Sequence, residues 1–128
     1  MTTEIKPGYV GIKNSDILVG LMERRFSPLL VTIVTYILKT YGGVITESYR
    51  YRLHPGDLHS TQPVRAVDLR SHCYPNGLAG NIANDVNSKW CYDPQRPEKL
   101  VALLHSVKGG AFHFHIQVHP NTVRRSNG

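Results

Sequence analysis

Cysteine is scarce in this 128-residue chain: Cys73 and Cys91 are the only two, and they form no Cys-x-x-Cys unit. Two thiols cannot build a disulfide framework, so a fold stapled by several bridges is excluded and two unpaired thiols are expected. Long apolar runs are also missing. The longest, Pro28 to Leu38, has eleven residues and is interrupted by Thr32 and Thr35, against the ~20 residues a membrane-crossing helix needs. The opening residues, Met1 to Gly8, lack the charged start, apolar core and small-residue cleavage site of a secretory signal. Synthesis in a cytoplasm, with no signal peptide and no membrane partner, is the expectation.

Acidic residues are few. Nine Asp and Glu stand against fifteen Lys and Arg, a net charge of +6, which biases the surface toward anionic partners. The excess is scattered, however, with Arg24-Arg25 and Arg124-Arg125 as the basic doublets and no aromatic residues interleaved in a nucleic-acid motif. No specific nucleic-acid partner is read from it. Internal repeats, low-complexity stretches and linkers are absent too, so residues 1–128 read as one domain. At 41% apolar and 19% charged residues, such a chain buries about two-thirds of its unfolded surface and folds without staples.

Periodicity and punctuation divide the chain. Asn14-Ser15 can cap a short helix to about Arg25, with Ile17, Leu18, Leu21 and Met22 on one face. Ser27-Pro28 and Gly42-Gly43 bracket a helix over 28–41 with a stripe of Leu30, Ile33, Val34, Ile37, Leu38 and Tyr41. Val44 to Arg52 alternates as a strand that enters a Pro-Gly loop at 54–62, and Arg65 to Arg70 is a second strand. Leu78, Ile82, Val86 and Trp90 recur every four residues and mark a third helix. Leu100 to Val107 and Phe112 to His119 then form an antiparallel hairpin about Lys108-Gly109-Gly110. The predicted fold is α+β: N-terminal helices over 1–42, a small antiparallel sheet over 43–120 with the helices on one face and the site on the other, and a short basic tail over 121–128.

The most informative segment is the last strand. Phe112, Phe114, Ile116 and Val118 fall on one side of a two-residue period, and His113, His115, Gln117 and His119 on the other. A half-buried strand ordinarily fills its polar side with Thr, Lys, Glu or Ser, so this row of imidazoles points to a metal or to proton transfer. A catalytic zinc site takes three protein ligands and leaves a fourth position for water. Besides His115 the chain supplies His59, in the Pro-Gly loop, and Asp68, on the strand after it. Two neutral imidazoles and one carboxylate leave a Zn2+ ion a net charge of about +1, enough to acidify bound water and polarise a carbonyl.

Thr46-Glu-Ser-Tyr-Arg50, His59, Arg65-Ala-Val-Asp68-Leu and His113-Phe-His115-Ile-Gln-Val resemble, in order and spacing, the zinc D-alanyl-D-alanine carboxypeptidases and their murein-endopeptidase, lysostaphin-type and hedgehog-domain relatives. The likeness runs from about Val44 to Arg124 and is greatest to small phage-encoded peptidoglycan peptidases. It implies one Zn2+ held by His59, Asp68 and His115, with His113 as general base or transition-state stabiliser. It further implies that Arg50 holds a substrate carboxylate or carbonyl, and that His105 on the neighbouring strand is a second histidine near the water. The implied reaction is hydrolysis of a peptide bond in peptidoglycan, with action in the periplasm or cell wall or as part of a virion.

The chain departs from the carboxypeptidase pattern in two places. That branch sets its His seven residues before the Asp with a Gly between, whereas His59 and Asp68 are nine apart and Thr61 holds the seven-residue position. His59 is therefore chosen by chemistry, with His54 as the fallback. The same branch carries a Glu three residues before its last ligand, where this chain has Phe112, so His113 must serve in its place. Other readings are a zinc-binding domain that recognises wall or protein without cleaving, and a metal-dependent nuclease or DNA-binding phage protein. The last lacks paired acidic residues and a His-Asn-His pattern. A cupin would need a further Glu and His, for which the nine residues after His119 leave no room. His72 and His119 are expected to be structural or surface positions.

Overall fold

The computed structural model describes residues 5–50, 55–75, 77–106 and 112–126, with the side chains of residues 105, 106, 112 and 113 outside the description. Two sheets and three helices follow one another as β1 (Val10–Ile12), α1 (Ser15–Glu23), α2 (Pro28–Tyr41), β2 (Gly43–Glu47), a 3-10 turn (Leu58–Ser60), β3 (Ala66–Arg70), α3 (Leu78–Lys89), β4 (Trp90–Cys91), β5 (Ala102–Ser106), β6 (Phe112–Gln117) and β7 (Val123–Arg124). The main sheet has five strands in the order β1-β2-β3-β6-β5. All of its pairs are antiparallel except β1 with β2. This is the small α+β fold the sequence predicts, with one strand added to the main sheet and a small second sheet of β4 and β7 besides.

The added strand is the informative difference. β1 has three residues, one of them Gly11, and too little alternation to be read as a strand. It lies parallel to β2 because two helices intervene, and a parallel pair needs such a long crossover. At the far end, the segment read as a basic tail contributes β7, which pairs with β4 at the end of α3, and Arg124 lies 4.8 Å over the Trp90 ring. Cys73 and Cys91 are both free thiols.

The helices form where the caps predict. Asn14 accepts from the Ile17 N–H at 3.1 Å to start α1. Pro28 occupies the first turn of α2, and Gly42 ends it with φ of 78°. A side chain at Gly42 would be both strained and blocked, since its Cβ would lie 2.1 Å from the Lys6 carbonyl oxygen. Ile17 of α1, Leu30, Ile33, Ile37 and Leu38 of α2, and Ile82 and Val86 of α3 join Val67, Leu69, Phe114 and Ile116 of the sheet in one core. Phe114 and Ile116 are fully buried, and each such side chain contributes about 1.5–3 kcal/mol over an exposed one. Asn87 fastens α3 to β5: its amide oxygen accepts from Val101 and Ala102 N–H, and its amide nitrogen donates to the Ala102 carbonyl.

Alternation then fixes the other face. With Val67 and Leu69 committed to the core, Ala66 and Asp68 face away from it. In the β3–β6 ladder Asp68 stands opposite His115, and Leu69 opposite Phe114. β2 leaves the sheet earlier than its sequence suggests: the register slips between Ile45 and Glu47, and the chain turns at Ser48 toward α1. The predicted extension of that strand over residues 51 and 52, the Lys108-Gly109-Gly110 turn and the fallback ligand His54 lie outside the described residues.

Candidate metal centre

His59 is set in place by the short turn that carries it. Asp57 caps this turn, its carboxylate accepting from the His59 N–H at 3.1 Å. The same carboxylate receives a two-pronged bond from Arg50, Nε to Oδ2 at 2.9 Å and Nη2 to Oδ1 at 3.2 Å. The Arg50 N–H donates to the His59 carbonyl at 3.3 Å. The imidazole is 1% exposed, and its Nδ1 lies 2.9 Å from the Ser48 carbonyl oxygen. Because a carbonyl oxygen only accepts, Nδ1 must carry the hydrogen, and the neutral ring turns a bare Nε2 to the other side.

That nitrogen is the anomaly of the structure. Nε2 of His59 is buried and has no hydrogen-bond partner among the described residues, although it lies 3.3 Å from Asp68 Oδ1. The separation is within reach, but the alignment of a hydrogen bond is missing, so the contact is electrostatic. A buried polar atom left in this state costs about 1–3 kcal/mol. Asp68 Oδ1 is approached a second time by Nδ1 of His115 at 2.8 Å, and the two imidazoles meet edge to face with centroids 5.3 Å apart.

One ligand atom from each of His59, Asp68 and His115 falls within 4.8 Å of the others. In a tetrahedral zinc site with bonds of ~2.0 Å, ligand atoms stand about 3.3 Å apart. Donor types, separation and the unsatisfied nitrogen all fit a metal ion, so this group could hold one. The charges agree. Burial works to raise the Asp68 pKa, but the hydrogen bond from His115, and His59 at 3.3 Å, with the charge the two rings can carry, hold it well below the usual carboxylate range. Burial works to lower the His59 pKa, and Asp68 outweighs it to leave a net rise. The carboxylate is thus kept ionised, and cations, whether protons or a metal, are drawn to the nitrogens that face it.

The three residues lie in the floor of an open cleft of about 910 Å³. The cleft is lined further by Arg50 and Leu58 from the segment around the His59 turn and by Tyr92, Glu98, Lys99 and Leu103. Arg50, the predicted substrate-holding residue, does line the cleft, but Asp57 occupies its Nε and Nη2. Its Nη1 lies 3.8 Å from Glu47. Arg96 is tied to the buried Asp93 at 3.0 Å. His113 and His105 stand opposite each other in the β5–β6 ladder, one residue pair beyond Leu104–Phe114 and two beyond Leu103–His115; their side chains lie outside the described atoms. His72 is exposed, and His119 accepts from the Asn121 N–H at 3.0 Å, as expected of surface and structural positions.

Two supporting residues escaped the sequence reading, and Asp57 was legible only as an ion-pair partner for Arg50, although an Asp just before a short turn is also a standard N-cap. Ser48 acts through its main-chain carbonyl and gave no signal. Gln117 lies on the same side of β6 as His115, with its Oε1 3.1 Å from His115 Nε2, and was read only as part of the polar face. Among the described residues no helix is long and apolar enough to cross a membrane. Comparison of the chain with protein-family models, with curated proteins and with solved structures finds no match in any of the three.

Proposed function

We propose that the protein is a zinc-dependent metallopeptidase that hydrolyses a peptide bond in bacterial peptidoglycan, of carboxypeptidase or endopeptidase type and of phage origin. One observation carries the reading. Two imidazoles and a carboxylate converge in the floor of an open cleft, and the buried His59 Nε2 faces the carboxylate without a partner. Three protein donors at an open cleft suit a catalytic site, whereas structural zinc sites are closed by a fourth. The resemblance of Ala66-Val-Asp68 and His113-Phe-His115 to peptidoglycan peptidases supplies the substrate.

A zinc ion bound there supplies Lewis acidity to the scissile carbonyl and lowers the pKa of the attacking water. The chain's own residues do the rest. His59 and His115 bind as neutral rings and Asp68 as a carboxylate. His113, two residues before His115 on β6, takes the proton of the attacking water and later returns it to the leaving amine. His105, opposite His113 in the ladder, is the second histidine of this relay. Arg50 turns Nη1 from its distant partner Glu47, 3.8 Å away, to a substrate carbonyl or carboxylate while Asp57 holds the rest of its guanidinium. Tyr92, Leu58 and Leu103 give the cleft apolar surface to exclude water around the peptide.

The test is metal content by mass spectrometry of tag-free protein, together with release of soluble peptides from purified sacculi. One zinc per chain, lost in His59→Ala, Asp68→Ala and His115→Ala, and peptide release that His113→Ala abolishes with zinc retained, is the expected result. Zinc content untouched by all three ligand substitutions, or an absence of zinc in the wild type, overturns the metal site. Zinc without peptide release leaves a wall- or protein-recognition domain in place of an enzyme.

A further inference from the structure

We infer that Gln117 is a positioning residue of the metal centre, its side-chain amide selecting Nδ1 of His115 as the nitrogen that faces the ion. The inference rests on the reading that His59, Asp68 and His115 hold a metal. The amide of Gln117 makes two contacts. Its Nε2 donates to the Leu100 carbonyl at 2.9 Å, and its Oε1 lies 3.1 Å from His115 Nε2. The two ends of a glutamine amide look alike in most settings and are assigned from their partners. Here the partner decides: a main-chain carbonyl accepts only, so the amide must turn its NH2 end to Leu100 and its oxygen to the imidazole.

An oxygen at that distance needs a hydrogen on His115 Nε2. A zinc-binding imidazole is neutral and has one, so the nitrogen left for an ion is Nδ1, the atom 2.8 Å from Asp68 Oδ1. Without metal a proton on Nδ1 joins that nitrogen to the carboxylate, and a metal ion would take the proton's place. His59 is held in the opposite sense, Nδ1–H to the Ser48 carbonyl and Nε2 bare. The two imidazoles therefore present different ring nitrogens to one ion. One tautomer is fixed by a main-chain carbonyl, the other by a side chain that substitution can remove. Side chains that hold a metal-binding imidazole by its other nitrogen commonly change metal affinity by about 10–100-fold. Gln117 also links the metal to the cleft, because the Leu100 carbonyl that orients it belongs to the wall beside Glu98 and Lys99.

Two variants of the full chain separate the roles. Gln117→Leu removes both contacts, while Gln117→Glu keeps an oxygen for His115 and gives up the bond to Leu100. The probe is Zn2+ alone, with affinity read by competition against a chromogenic chelator. Long-range 1H–15N spectra of 15N-histidine protein, with and without zinc, report which ring nitrogen is protonated or bound, and circular dichroism checks the fold. We expect wild-type His115 to carry a hydrogen on Nε2 both without and with metal, and to bind zinc through Nδ1. Gln117→Leu should weaken zinc binding by about 10–100-fold and mix the tautomers, and Gln117→Glu should restore Nδ1 ligation. His115 bound or bare at Nε2 in the wild type, or a folded Gln117→Leu protein with unchanged affinity and a single tautomer, overturns the assignment. A wild type that takes up no zinc overturns the metal reading, and its metal-free spectra still decide the Gln117 assignment.

Discussion

Two carboxylates organise this protein, and they are served in opposite ways. Asp85, on α3, receives the Tyr36 hydroxyl at 2.5 Å, the Tyr41 hydroxyl at 2.7 Å and the Lys89 ammonium at 2.7 Å. Each donor brings its own proton at neutral pH, so the cluster closes on itself and joins α2 to α3. Asp68, on β3, instead faces two imidazole nitrogens, one of them buried with no hydrogen-bond partner among the described residues. A neutral imidazole has one hydrogen, and His59 already directs its own to Ser48. The difference separates a polar cluster that stabilises a fold from one that waits for a cation.

Exchanging charge for amide breaks the comparison most forcefully. Asp68→Asn removes the only anion among the three donors and should lower zinc binding by at least ~100-fold, as a chelator titration would show, since zinc favours an anionic oxygen ligand. Its metal-free stability should change little or rise, because a buried charge is removed from a site shaped for another purpose. Asp85→Asn should do the reverse. Metal uptake stays at the wild-type level, while loss of the charged acceptor for Tyr36, Tyr41 and Lys89 costs about 1–2 kcal/mol. Thermal unfolding would show a Tm lower by roughly 3–8 °C.

Acidification sharpens the same contrast by separating two pH windows. Metal binding requires deprotonated imidazoles, and the net rise in the His59 pKa, burial opposing and Asp68 prevailing, makes protons effective competitors from about neutral pH downward. Zinc release, followed with a fluorescent chelator, should be well advanced by about pH 5. The Asp85 pKa is worked upward by partial burial, but hydrogen bonds from Lys89, Tyr36 and Tyr41 bring it down to about 2. A lowered carboxylate pKa adds stability that is full above the ordinary value near ~3.9 and lost as pH falls toward the folded-state value. The α2–α3 clamp should therefore hold until about pH 4 and weaken between there and about pH 2. Lys89→Met should flatten that acid limb in a pH series of thermal melts without moving the zinc-release curve.

The sequence carried the parts of this contrast that depend on residue type and period. The alternation of Phe114, Ile116 and His115 gave strand β6, its buried face and its candidate metal donor, because a two-residue period leaves one choice of side. His59 and Asp68 were legible as donors, and their meeting followed once the short turn of His59 lay beside the strand of Asp68. β1 was not legible, since three residues containing a glycine have no pattern until β2 pairs with them. The Asp85 cluster was equally silent: Tyr36, Tyr41 and Lys89 are ordinary helix residues until α2 and α3 pack. Ser48 meets His59 through a main-chain carbonyl, which every residue owns, and the importance of that carbonyl lies in where the bulge after Ile45 aims it.

That carbonyl gives the smallest and most specific expected effect. Ser48 is fully buried, and its hydroxyl donates to the Ile17 carbonyl of α1 at 3.1 Å, which holds the main chain that orients His59. Gly20, one helical turn along α1, lies so close that an added Cβ would stand 2.7 Å from Ser48 Oγ. Gly20→Ala must push Ser48 aside. Helix propensity alone would favour alanine by about 1 kcal/mol, so a net loss of stability of about 1 kcal/mol requires a packing cost of about twice that, within the usual range for overpacking. Ser48→Ala in the same background removes the colliding oxygen and should recover part of the loss, a coupling that a double-mutant cycle of urea melts would detect. Zinc affinity should fall several-fold in Gly20→Ala and return in the double variant, because a displaced Ser48 carbonyl loosens the His59 tautomer. Additive changes in both stability and affinity would mean that α1 only packs against the sheet and that the orientation of His59 is set locally by Asp57.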